Sequence, residues 1–208
     1  MNPTSILLAL LLPTAGYLQE KSIDESIQAL KDPDKEVRKK AGWTLCFKAA
    51  HAKAAVPTLK AALKDPDRDV RLICAIALTR IDPATVDVTM DHLIEALDAE
   101  KELWHRENAA CSLAGSGKKV KPALAALTRA LGASMPDPTK DRDGAEATIR
   151  LWSFSAVALG NLGAEAKDAV PALKKIADLD EKQVGNENTR EAKNSAREAL
   201  DKILAKDR

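Results

Sequence analysis

Residues 55–82, AVPTLKAALKDPDRDVRLICAIALTRID, constrain the fold of this chain more than any other stretch. Val56, Leu59 and Leu63 fall three and four positions apart, so they share one face of a helix. Pro57 sits in what would be the first helical turn, where its missing N–H costs nothing and its fixed φ favours the start. Asp65-Pro66-Asp67 stops this helix, because proline disfavours helical geometry in the residue before it. Asp67 is placed to cap a second helix by accepting from the free N–H groups of its first turn. The apolar pattern of that second helix is Val70, Ile73, Cys74, Ala77, Leu78 and Ile81. It covers more than half the circumference, as expected of a helix packed on three sides.

Four further copies of this helix-turn-helix unit run along the chain, starting near Ser22, Thr89, Val120 and Ala169. The second helices align on Arg38, Arg71, Arg106, Trp152 and Lys193. Four positions later stand Gly42, Ala75, Ala110 and Ala156, with Arg197 in the fifth copy. Seven positions later a leucine recurs in all five: Leu45, Leu78, Leu113, Leu159 and Leu200. The small residues let helices approach closely, and the leucines fill the layer between repeats. Such a pattern predicts an all-α, right-handed α-α superhelix of about five repeats, with one continuous core and one domain over residues 20–208.

The segments DPDKEVRKKAGWTL and DPDRDVRLICAIAL, the AVP starts of repeats two and five, and VALGNLG at 157–163 resemble the HEAT family. The similarity is to its short HEAT-like variety, also found in phycobilisome lyase subunits. The resemblance spans nearly everything after residue 20. It implies a solenoid fold and leaves function open, because such repeats serve many unrelated proteins. It also implies a polar ladder between neighbouring repeats, formed here by Asp34 with Arg38, Asp67 with Arg71, and Arg106. Trp152 and Lys193 depart from that pattern.

Charged residues make up 30 % of the 208 and nearly cancel, leaving +1. That balance argues against a dedicated nucleic-acid binder, which would carry a domain-wide basic excess. Residues 1–16 stand apart. The apolar run from Ser5 to Leu12 is too short to span a bilayer, which takes roughly 20 residues. It fits a secretory signal peptide, with small residues at −3 and −1 if cleavage follows Gly16. The expected location is therefore periplasmic or secreted, with no stable membrane insertion, and the expected state is a monomer.

Nothing in the chain converges on catalysis, and no cofactor or metal site is expected. Cys46, Cys74 and Cys111 form no CxxC pair and read as small apolar residues of the second helices. His51, His92 and His105 are scattered, and no His-Glu pair of the kind that ligates iron in HEAT-like hydroxylases is present. An insertion from Gly132 to about Ile149, GASMPDPTKDRDGAEATI, reads as a loop. Asp141 and Asp143 suggest a calcium loop only faintly. Setting Gly144 at its sixth position puts Thr139 first and Arg150 twelfth, where carboxylates are required. A shorter insertion at 180–188 should lie beside it on the same rim.

The function these features favour is a noncatalytic protein-protein interaction module. Its partner-binding candidates are the aromatics Trp43, Phe47, Trp104, Trp152 and Phe154, all on or at the start of second helices, and the loop carboxylates Asp137, Asp141 and Asp143. Aromatics anchor interfaces but also fill cores, so at least two of the five should be well exposed if a docking face exists. The alternatives are an enzyme-associated, lyase-like subunit and a structural piece of an envelope assembly. A DNA glycosylase reading would need a basic groove that the net charge does not supply.

Overall fold

The computed structural model describes residues 22–98, 103–179 and 187–205, and every regular element among them is helical. The segment 1–16 and nearly all of the 180–188 insertion lie outside the described residues. Five helix pairs follow one another: α1 (Ile23–Ala29) with α2 (Lys35–Lys48), α3 (Val56–Ala62) with α4 (Arg68–Ile81), α5 (Val86–Leu97) with α6 (Leu103–Ala114), α7 (Leu124–Ala130) with α8 (Arg142–Leu162), and α9 (Val170–Ala177) with α10 (Glu187–Leu204). The second helices stack in order, α2 on α4, α4 on α6, α6 on α8 and α8 on α10. The all-α repeat architecture read from the sequence is the architecture found.

Local chemistry sets the boundaries. Ser22 and Glu25 close a capping box at the start of α1, with Ser22 Oγ accepting from the Glu25 N–H and Glu25 Oε2 accepting from the Ser22 N–H. Asp34 caps α2, and Asp67 caps α4 by accepting from the N–H groups of Asp69 and Val70. Pro57 and Pro171 occupy first turns, as the AVP motif requires. Between repeats the chain turns through short 3-10 segments. Two of these involve glycines at positive φ, Gly117 and Gly163, whereas the equivalent turn after α2 places Ala49 at φ 44°.

The register of small residues and leucines holds. Ala75, Ala110 and Ala156 are fully buried, as are Leu45, Leu78, Leu113 and Leu159, with Leu200 half-buried in the last repeat. Gly42 is needed where α2 meets α4, since a Cβ there would stand 2.7 Å from Ile73 Cγ2. The anchor position also has a shared job. Arg38 Nη1 donates to the Asp32 and Pro33 carbonyls, Arg71 Nη1 to those of Asp65 and Pro66, Arg106 Nε to Leu97 O, and Lys193 Nζ to Leu179 O. In four of five repeats this side chain satisfies carbonyls orphaned near the end of the first helix. Trp152 replaces it in the fourth, and its Nε1 is buried without a hydrogen-bond partner.

The ladder between repeats differs from the expected one. Arg38 reaches Asp65 of the next repeat through Nε and Nη2 at 2.8 and 2.9 Å; Asp34 serves as a cap, and Asp67 caps α4 through Oδ1 while its Oδ2 takes Lys35 of the preceding repeat at 3.2 Å. Arg71 stays within its own repeat. The following steps are bridged instead by Arg68 to Glu95, by Arg129 to Asp98, and by Arg150 to Glu107.

The inserted segment is shorter than the sequence suggested. Asp141 Oδ1 accepts from the Gly144 N–H at 2.9 Å and starts α8 at Arg142. Ala145, Thr148, Ile149 and Trp152 then form a buried stripe at helical spacing, so nearly half of the expected loop, residues 142–149, is helix. Deleting residues 134–140 should therefore leave the thermal midpoint nearly unchanged, since loop closure responds weakly to length, about 0.6 kcal/mol per doubling. Extending the deletion to 146 should lower the midpoint clearly, because it removes the cap and buried Ala145. Equal midpoints for the two deletions would contradict this boundary.

Candidate functional site

Trp43 and Phe47 stand four residues apart on α2, and Trp104 begins the equivalent face of α6. These two helices flank α4. Yet the rings meet: Trp43 and Trp104 lie 4.0 Å apart centroid to centroid, and Phe47 lies 6.1 Å from Trp43 and 6.5 Å from Trp104. His105 lies nearly parallel to Trp43 at 6.3 Å. Packed helix axes are roughly 8–10 Å apart, so α2 and α6 are two such steps from each other. Both side chains thus lean over α4 on one face of the row of second helices, the face that the family resemblance implies is concave.

Phe47 and Trp104 are 64 % and 45 % exposed, among the most exposed large apolar side chains described, and Trp43 is half-buried beneath them. Beside the rings opens a cleft of about 600 Å³, floored by Ile73 and edged by Glu36, Lys39, Lys40 and Asp69. Lys39 Nζ bridges Glu36 Oε1 at 2.8 Å and Asp69 Oδ2 at 3.4 Å. Hydrogen bonding to Glu36, aided by Asp69 and opposed by burial, holds this ammonium above the usual lysine range. Lys39 therefore stays charged and ties α2 to α4 along the cleft edge.

The other candidates sit elsewhere. Trp152 is 4 % exposed and belongs to the core, so it offers no docking surface, contrary to its placement among the surface anchors. Phe154 is half-buried against the same core and makes no ring contact with the cluster. Asp137 shapes the inserted turn, accepting from the Thr139 N–H and Oγ1–H. Those bonds, with help from Lys140, keep its carboxyl below the usual range. Asp141 is a helix cap and Asp143 lies in the first turn of α8. The three carboxylates are thus spent on, or next to, local structure, and no metal-binding cluster occurs among the described residues.

The cysteines are free. Burial pushes the Cys46 thiol up to about 11 and that of Cys74 up to about 12, and it raises Cys111 as well. Near neutral pH all three are protonated and poor nucleophiles. A thiol-reactive dye should label the folded protein far more slowly than the unfolded chain at pH 8, with half-buried Cys111 first. Rapid labelling of Cys46 in the native state would contradict its burial.

Fold and surface together define an α-solenoid of short helical repeats with an exposed aromatic cluster on its second helices. Residues 23–114 match the family model described as HEAT repeats. Among solved structures, the complex of CpcE and CpcF of phycocyanin lyase from Nostoc sp. PCC7120 is similar at TM-score 0.60 and 23 % identity, over 89 % of this chain and 66 % of that one. An engineered protein (TM-score 0.45, 16 % identity, 86 % of this chain and 98 % of that one) and a designed armadillo repeat protein (0.43, 17 %, 88 % and 100 %) also match. The chain spans 66 % of the length of the phycocyanin lyase chain, and the likeness is one of fold. No curated protein matches the sequence. Among the described residues no helix is long and apolar enough to cross a membrane.

Proposed function

We propose that this chain is a noncatalytic docking module that holds a protein partner on the concave face at Trp43, Phe47 and Trp104. The observation that carries the reading is the exposed ring cluster, assembled from two repeats that are not sequence neighbours. Large exposed aromatic groups on a rigid scaffold are common hot spots of interfaces. The module works without a cofactor, as a monomer, and is exported by way of residues 1–16, whose apolar run supports that location. Nucleic acid is not its ligand. The inserted rim around Asp137, Asp141 and Asp143 is the competing surface.

Affinity capture from the source cell, with residues 1–16 removed, tests this. Phe47→Ala with Trp104→Ala should lose the captured partner while keeping the parent's circular dichroism and melting behaviour. Truncating two such anchors should weaken binding by about 2 kcal/mol or more. A partner lost only on deleting 134–140 would move the site to the rim. The second reading is a subunit acting inside an enzyme complex, and it draws on the fold shared with the CpcE and CpcF complex. It predicts that the captured partner is an enzyme whose activity depends on this chain.

A further inference from the structure

Charge is sorted between the two layers of the first three repeats, although the whole chain carries only +1. The second helices α2, α4 and α6 hold nine Lys and Arg against three Asp and Glu, a net of +6. The first helices α1, α3 and α5 hold one Lys against five Asp and Glu, a net of −4, and the connecting segments add four Lys against eight Asp and Glu, so residues 22–114 total −2. The basic layer is the one that carries the aromatic cluster. A positive face with exposed rings suits either a single-stranded nucleic acid or an acidic peptide, and the state of the cations decides between them. Arg38, Lys39 and Arg68 are held by carboxylates, and Arg71 and Arg106 by backbone carbonyls. Tracking a phosphate backbone needs a row of free cations, and this row is already engaged.

Lys40 is the exception at the cleft. It is exposed, and its ammonium makes no ion pair or hydrogen bond among the described residues. Glu36, Lys40, Trp43 and Phe47 are spaced four, three and four apart, so they form one stripe along α2. Lys40 therefore precedes the rings by a single turn on the same face. Resting on the docking role proposed above, we infer that the occupant is a peptide segment of a partner that places a carboxylate next to a large apolar side chain. The apolar group packs on Trp43, Phe47 and Trp104. The carboxylate pairs with Lys40, the one cleft cation whose ammonium has no partner among the described residues, and that pair fixes the register of the segment.

The test is selection from a random peptide library displayed on phage, with the full chain as bait, followed by fluorescence anisotropy on the selected peptides. Enriched sequences should carry Asp or Glu within two residues of Trp, Phe or Leu. Lys40→Glu should weaken them by about tenfold, and a peptide with the acid changed to lysine should recover binding to that variant. Phe47→Ala with Trp104→Ala should weaken them by about thirtyfold. Because Lys40 is exposed, its variant should melt like the parent. Peptides lost in the ring variant but without acidic bias and indifferent to Lys40→Glu would leave the docking face standing and overturn the acidic partner. Peptides indifferent to the ring variant, or no enrichment at all, would overturn both. An oligothymidylate that binds more tightly than the selected peptides and displaces them would overturn the peptide in favour of nucleic acid.

Discussion

Leu78→Ala should lower the unfolding free energy by about 2–5 kcal/mol, measured by urea denaturation of the parent and the variant. Leu78 is fully buried in α4, the second helix with neighbours on the most sides: α2 and α6 flank it in the inner layer, and α3 and α5 pack behind. Removing its branched end leaves a cavity in a helix packed on both flanks and behind, where the surroundings can collapse little. Interiors this dense respond to the loss of even a few carbon atoms. Leu200→Ala, at the same register in the fifth repeat, should cost less, because Leu200 is only half-buried. Equal costs at the two positions would mean that the leucine layer is not what ties the repeats together.

Arg38→Ala should cost about 3 kcal/mol, more than an ion pair near the start of a helix ordinarily contributes. The Arg38 and Asp65 side chains are 11 % and 9 % exposed, so this is a nearly buried pair. The guanidinium makes two bonds to the Asp65 carboxylate of the next repeat and two more to the carbonyls of Asp32 and Pro33. Truncation leaves an uncompensated buried carboxylate and two exposed ends of a helix turn. Arg38→Lys should recover only part of the loss, because an ammonium cannot span both the carboxylate and the turn in the same planar geometry. By contrast Arg129→Ala should cost under about 1 kcal/mol, since its pair with Asp98 is half-exposed and screened. A double-mutant cycle on Arg38 and Asp65 showing no coupling would contradict the assigned ladder.

Much of the fold was legible because a repeat states the same packing problem five times. One offset, seven residues after the anchor, marked the buried leucines, and a second marked the small residues at helix crossings. The ladder was read one aspartate too far along. In Asp65-Pro66-Asp67 both carboxylates suit a turn, and only the orientation of the neighbouring repeat decides that Asp65 faces Arg38 while Asp67 caps α4. The 132–149 insertion misled because its proline, glycine and acidic residues read as a loop throughout. In the structure Gly144 instead supplies the N–H that Asp141 accepts, and Ala145, Thr148 and Ile149 already carried the helical spacing.

The aromatic cluster was legible only as a set of candidates. Trp43 and Trp104 are separated by an entire repeat, and their contact depends on how the second helices stack, which no local pattern encodes. Trp152 shows the converse. Its place in the anchor register, aligned with Arg38, Arg71 and Arg106, was a signal that its side chain turns inward. Composition hid the remaining feature of the site. A net charge of +1 for the chain conceals second helices of +6 beside first helices of −4 and connecting turns of −4 in the first three repeats.

The most direct test of the docking account is hydroxyl-radical footprinting of the captured complex against the free chain, read residue by residue at Phe47, Trp104 and Met135. Phe47 and Trp104 are exposed on the face of the second helices, whereas Met135 marks the inserted rim. The account predicts strong protection of Phe47 and Trp104 in the complex, with Met135 reacting as it does in the free chain. Protection of Met135 with Phe47 and Trp104 still reactive would contradict it and place the partner on the rim.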